Sequence, residues 1–175
     1  MREKFQLNAK SLKESSKPQS SRPDELDRID RRILHHLQRD GRITNAELAK
    51  AVSVSPATCH RRTQRLFDEG YVRGVAAAVD PAAVGRGTLV IVGVVLDRST
   101  PESFGLFEVA IKKLRVVLDC HLVAGDFDFF LKIRVRDIAD FNRLHGEQLI
   151  ALPGVRQTRT FFVMKEVVDN APLDF

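Results

Sequence analysis

Between Thr44 and Leu66 the chain reads TNAELAKAVSVSPATCHRRTQRL, and this stretch leaves few folds open. Thr44 offers a hydroxyl to a free helix N–H, and Glu47 follows three residues later, the spacing of a capping box. Leu48, Ala49 and Val52 then recur as a core-facing helical stripe. Ser53-Val54 makes a turn. Ser55 caps a second helix, and Pro56 suits its first position, where a missing N–H costs nothing. The segment predicts two short helices joined by a tight turn.

The second helix has two unlike faces. Cys59, Thr63, Leu66 and Phe67 share one side, at helical spacing. Ala57, Thr58, Arg61, Gln64 and Arg65 fall roughly opposite, with His60 and Arg62 on the flanks. Small residues first and arginines later suit a helix entering a DNA major groove. The small side chains permit close approach, and arginine pairs with guanine edges or holds phosphates. The spacing by itself fits an ordinary solvated helix equally well.

Charge bears on that choice. The formal net charge is +5, and it is unevenly spread. Residues 1–22 carry six Lys/Arg against two acidic residues, and residues 23–74 ten against eight. Residues 75–175 carry twelve against thirteen, so the positive charge lies on the helix-turn-helix side, where a polyanion binds. A hydrophobic content of 43% is ordinary for a globular protein, and no apolar run approaches the roughly 18 residues that span a bilayer. Residues 1–23 have no apolar stretch of the kind a secretory signal needs, so no such signal is expected. Cys59 and Cys120 stand far apart, without CxxC or Cys/His metal spacing, and read as small buried residues in a reducing, cytoplasmic setting.

Along the chain, residues 1–23 are polar and basic and are expected to form a disordered arm. Asp24 to Gln38 predicts an amphipathic helix, with Leu26, Ile29, Ile33, Leu34 and Leu37 as its stripe. Asp24, Glu25 and Asp27 sit in its first turn, where the helix dipole favours carboxylates. Tyr71 to Val75 is expected to be extended, as a wing. Residues 24–75 thus predict a winged helix-turn-helix domain, and the Ala/Gly/Pro-rich residues 76–87 a hinge linker. From Thr88 the pattern alternates. A β-branched strand spans Leu89 to Leu96, and a helix Pro101 to Leu114 carries Phe104, Phe107, Ile111 and Leu114 on one face. A strand follows over Val116 to Val123, and then the polar turn Gly125-Asp126-Phe127-Asp128. Phe129 to Arg136 alternates strictly. A helix from Asp137 to Leu152 should turn Ile138, Phe141, His145 and Leu152 inward, and a last strand is expected from Arg159 to Val168. The order βαββαβ over residues 88–168 predicts a ferredoxin-like domain, with residues 169–175 as a tail. The fold class is therefore α+β: an N-terminal winged helix-turn-helix domain joined to a C-terminal ferredoxin-like βαββαβ domain.

LDRIDRRILHHLQRDGRITNAELAKAVSVSP and RRTQRLFDEGYVRG resemble the DNA-binding domain of the Lrp/AsnC (feast/famine) transcriptional regulators. LVAGDFDFFLKIRVRDIADF and LPGVRQTRTFFVMKEV resemble that family's effector and assembly domain, in the same order along the chain. The resemblance implies a sequence-specific DNA-binding regulator of transcription, often of amino-acid metabolism genes. It also implies a homo-oligomer, a dimer through the βαββαβ domain and commonly a tetramer or octamer. A small effector, usually an amino acid, is implied near Gly125, Asp126, Phe127 and Asp128. Many members carry tyrosine where this chain has Phe127 and Phe129. In the second helix, Arg62 and Arg65 match basic positions of the family motif, Thr63 stands where an aliphatic residue is usual, and His60 and Arg61 stand at variable positions.

Around that turn, backbone donors suit an α-carboxylate, and the Asp128 carboxylate suits an α-ammonium group. A plain turn in which Asp caps its own backbone fits the same residues. Two other classes of function bear on the same residues. An architectural protein that wraps DNA with little sequence choice or effector response has the same sequence features. An enzyme lacks support: there is no phosphate-cradling glycine loop and no Ser/His/Asp or Cys/His set at recognisable spacing. No cofactor, metal or membrane partner is expected.

Overall fold

The computed structural model describes residues 26–175. The basic arm expected at residues 1–23, with Asp24 and Glu25, lies outside the described residues. Packing divides the described chain into two units. One runs to Ala76 and includes Asn170–Phe175; the other is Ala77–Asp169.

The first unit is built from three helices, α1 (Arg28–Arg39), α2 (Asn45–Val52) and α3 (Pro56–Asp68). Each begins at an oxygen-bearing cap. Asp27 accepts from Ile29 N at 2.8 Å and Asp30 N at 2.9 Å, while the Asp30 carboxylate accepts from Asp27 N at 3.3 Å. Asp27 is thus the cap itself rather than a first-turn residue, and α1 starts later than the charge pattern predicts. Thr44 and Glu47 close the expected capping box on α2. Ser53 takes up the left-handed conformation that turns the chain, and Ser55 then caps α3 ahead of Pro56. Ile33, Leu34, Leu48, Ala49, Val52, Cys59 and Leu66 form one buried core. The expected wing, residues 71–75, forms no strand; Tyr71 and Val72 pack against the helical core instead. Val75 lies where a side chain on Gly41 would project, 2.6 Å from the position of its Cβ. Residues 170–175 lie along α1: Gln38 exchanges two hydrogen bonds with the Leu173 backbone, and the Phe175 ring stacks on His35 at 4.6 Å.

The second unit contains β1 (Thr88–Leu96), α4 (Pro101–Ile111), β2 (Val117–Leu122), β3 (Phe129–Val135), α5 (Ile138–Leu144) and β4 (Val155–Phe162). The sheet order is β2-β3-β1-β4 with every pairing antiparallel, which is the ferredoxin-like arrangement. Alternation decides its faces. Val90, Val92, Val94, Phe129, Leu131, Ile133 and Val135 are buried beneath Phe107, Ile111, Phe141 and Leu144 of the two helices. The intervening residues of β1, β3 and β4, among them Ile91, Gly93, Phe130, Lys132, Arg159 and Phe161, point to the other face.

Two expectations are corrected here. The helix predicted from Asp137 to Leu152 is α5 followed by a π-helical turn (His145–Leu149), and Ile138 is 58% exposed rather than inward. Leu144 faces the core at the end of α5, and the wider π turn changes the phase so that Leu149 and Leu152 face it too. The last strand begins at Val155 and ends at Phe162, not Arg159 to Val168. Val155 pairs with Leu96 directly after the Pro153-Gly154 break, and beyond Val90↔Phe162 one more backbone bond, from Val163 N to the Leu89 carbonyl at 3.0 Å, ends the pairing. Beyond Val163 the chain meets the sheet through side chains: Glu166 pairs with Arg134 at 2.6 Å and Asp169 with Lys132 at 3.5 Å.

Two predictions follow from the helical unit. Thr63 Oγ1 is buried with no hydrogen-bond partner among the described residues. Thr63→Val keeps the shape and removes that cost, so it should stabilise the protein by about 1 kcal/mol, read by urea denaturation. The Asp27 carboxyl is held below its usual 3.8 by the backbone N–H of Asp30 and by Arg62. A depressed folded pKa gives stability that is full above 3.8 and lost as pH falls through the lowered value. Asp27→Asn, which still caps, should therefore lower stability at neutral pH and converge on the parent as pH falls, flattening the acid limb of the stability–pH curve read by urea denaturation.

Candidate functional site

The helix α3 is fixed from three sides. Cys59 and Leu66 are fully buried against the core of α1 and α2. Ser55 Oγ accepts from Thr58 N at 3.2 Å and also donates to the Thr58 hydroxyl at 2.9 Å. The Asn45 side-chain amide donates to the Pro56 carbonyl at 2.9 Å, tying the start of α2 to the start of α3. What remains outward is a stripe at i, i+3, i+4, i+7: Ala57, His60, Arg61 and Gln64, all exposed. Thr58 is half-buried beside its cap. Four of the seven side chains singled out by sequence therefore share one surface, which combines a small residue, an amide, an imidazole and a guanidinium.

Arg62 and Arg65 are placed differently. Arg62 Nη1 lies 2.6 Å from Asp27 Oδ2 and 3.0 Å from Asp30 Oδ1, and Arg65 Nη2 lies 2.5 Å from Asp30 Oδ2. Both guanidinium groups turn toward α1, away from the exposed stripe. The pairing raises the Arg62 pKa, chiefly through its hydrogen bonds to Asp27 and Asp30. Sequence reasoning missed Asp30. The signal was present, since Asp30 falls on the apolar stripe of its helix, three residues before Ile33 and one after Ile29.

In the second unit, the turn Gly125–Asp128 joins β2 to β3. Gly125 has φ 151°, a conformation other residues rarely adopt. Asp128 is the turn's brace. Its N–H donates to the Val94 carbonyl at 2.9 Å, and its carbonyl accepts from Val123 N at 2.9 Å. Its carboxylate accepts from Leu96 N at 2.7 Å and from the Ser99 hydroxyl at 2.9 Å. Asp126 is exposed. The Phe127 ring lies across Gly93, so closely that a Cβ there would meet ring carbons at 2.6 Å. Phe130 stands 5.1 Å from that ring, and the Arg159 guanidinium lies over it at 5.7 Å. Phe129, the other expected tyrosine position, points instead into the core, packed on Phe104 and Phe107. The turn thus brings an aromatic pair, a cation and an exposed carboxylate to one end of the open sheet face.

Neither cysteine is disposed to chemistry. Cys59 is buried, and burial together with the nearby Glu108 carboxylate pushes the Cys120 thiol up to about 11. Among the described residues no three His, Cys, Asp or Glu side chains gather as a metal site. No described helix is long and apolar enough to cross a membrane.

Comparison with known proteins agrees with this geometry in both units. The AsnC-type helix-turn-helix domain profile matches residues 26–66, and the Lrp/AsnC ligand binding domain profile matches residues 89–173. The leucine-responsive regulatory proteins of Escherichia coli and Salmonella typhimurium are each 48% identical over 143 residues, 82% of this chain and 87% of theirs. A transcriptional regulator of Neisseria meningitidis, solved as a complex with L-methionine, superposes with a TM-score of 0.81 at 33% identity, over 85% of this chain and 96% of that one. An AsnC family transcriptional regulator from Agrobacterium tumefaciens gives 0.81 at 30% identity, over 85% and 97%. These relatives are transcriptional regulators rather than enzymes. With a helix-turn-helix unit, a four-stranded α+β unit and relatives at this identity, the chain belongs to the Lrp/AsnC family of transcriptional regulators.

Proposed function

We propose that this regulator binds specific DNA sequences through α3 and responds to a small effector, an amino acid, held at the Gly125–Asp128 turn. The observation that carries the first half is the exposed stripe Ala57, His60, Arg61 and Gln64, free of the core and of the ion pairs beneath it. Small residues early let the helix approach the major groove, and Arg61 is the side chain suited to a bidentate guanine contact. In the second half, Arg159 and the turn's backbone donors suit an α-carboxylate, and a free carboxylate suits an α-ammonium group. Asp128 spends its carboxylate on Leu96 and Ser99, so Asp126 takes the ammonium and Asp128 holds the turn in shape. Phe127 and Phe130 favour an apolar or weakly polar effector side chain. The names of the relatives support this class: one is leucine-responsive, and another was solved with L-methionine.

The assembly is a homo-oligomer, a dimer extended to a tetramer or octamer, acting in the cytoplasm on genes of amino-acid metabolism. Support for self-association comes from the open sheet face. Its helices cover only the opposite side, and Phe161 on the open face is 48% exposed.

Two measurements test the reading. Arg61→Ala should lose roughly 1–3 kcal/mol of operator binding and little of random-DNA binding at the same salt. An equal loss on both DNAs would point to an architectural protein that grips the backbone without choosing sequence. Asp126→Asn should keep operator binding but abolish the change that a neutral amino acid causes in it, whereas Asp128→Ala should also lower thermal stability. If every amino acid leaves wild-type operator binding and assembly as they were, the effector turn is misassigned.

A further inference from the structure

Asp30 is the only buried charged or polar residue among those described, 1% exposed. A carboxylate taken out of water is costly unless it is paired and hydrogen-bonded. Here both oxygens are engaged, Oδ1 by Arg62 at 3.0 Å and Oδ2 by Arg65 at 2.5 Å and by Asp27 N at 3.3 Å. For stability alone an apolar residue at this place on the α1 stripe serves at least as well. What a carboxylate adds is direction. It requires that two arginines, three residues apart on α3, lie on the α1 side together, which fixes the rotation of α3 about its own axis.

The two arginines are not equivalent. Arg62 also meets Asp27 at 2.6 Å and is 22% exposed, so two carboxylates share its charge. Among the described residues Arg65 pairs with Asp30 alone and is 35% exposed, and a guanidinium held at one edge keeps other N–H groups for a second acceptor. We propose that Asp30 is a positioning residue for DNA recognition: it withdraws Arg62 from the contact surface and holds Arg65 by one edge, aimed at a backbone phosphate. Recognition is then set from beneath the helix as well as on its outer stripe. This rests on the reading of α3 as the DNA-contacting helix.

The test is the salt dependence of binding, which counts phosphates neutralised. In the full-length protein, Arg65→Gln should make the slope of log K against log salt shallower by about one on both operator and random DNA. Arg62→Gln should leave that slope at its wild-type value. Each variant leaves Asp30 one arginine, so folding is retained, and circular dichroism checks it. Asp30→Asn, which keeps the shape, should free Arg65 and leave Arg62 held by Asp27 alone: the slope on random DNA steepens by up to about one, and the operator-to-random affinity ratio falls about tenfold. If Asp30→Asn does not fold, the arginine pair decides. Equal slopes for the two arginine variants, or an Asp30→Asn protein that folds with wild-type slope and ratio, overturn the assignment. Arg61→Ala on the same DNAs separates the two levels. If it loses operator preference while the other variants do not behave as stated, only the role of Asp30 falls; if it also leaves binding untouched, the reading of α3 falls with it.

Discussion

One strand carries the sheet unit. β1 pairs with β3 on one side and β4 on the other, so the two edge-ward halves of the sheet meet only through it. Its β-branched residues face the helices at Val90, Val92 and Val94, each essentially buried, and its other face carries Ile91, Gly93 and Val95. A strand apolar on both faces cannot lie at an edge without exposing one of them to water, and a central place in the sheet is the arrangement open to it. The turn that braces the candidate effector site hangs from the same strand. Asp128 reaches Val94 with its backbone and Leu96 with its side chain. The site is therefore set by the unit's most constrained element, although its own residues belong to a loop.

The helical unit solves a different problem. Its core is small, and its three helices are short, so caps and one buried ion cluster do work that a large core does elsewhere. Asp27 belongs to both devices: it starts α1 and also receives Arg62 from α3. Arg32 adds a third link between helices, donating to the Val52 carbonyl at 3.2 Å and to that of Ala51 at the end of α2. Polar groups at helix ends thus set the relative placement of α1, α2 and α3, leaving the outer surface of α3 free to vary without loss of the fold.

Much of this was legible in the sequence where a local rule and the tertiary structure agree. Thr44 with Glu47, and Ser55 with Pro56, mark their helices because capping needs only neighbours. Phe129 to Val135 alternates because one face of a sheet is covered. The misses share a cause as well. Asp30 reads as one more acidic residue near a helix start unless its place on the apolar stripe is weighed, and it takes the packing of α3 to show why a charge there is tolerated. Asp128 looks like a ligand group until the ends of β1 and the following loop arrive beside it. The last strand starts earlier than the apolar FFVM run suggests, because Arg156 and Gln157 near its start are polar, as an edge strand allows. Ile138 reads as inward because it stands three residues before Phe141, yet at the very start of its helix it meets no core and stays exposed.

The closeness of Phe127 to Gly93 also constrains how this protein can change over time. The ring occupies the space in which any side chain at position 93 would begin. The two positions therefore do not vary independently, and the order of change matters. A smaller residue at 127 opens room that 93 can later fill, whereas the reverse order passes through a clash on the central strand. Lineages that enlarge position 93 first meet a barrier, so the shape of this end of the sheet should drift by a one-way path, with the aromatic side chain yielding before the glycine.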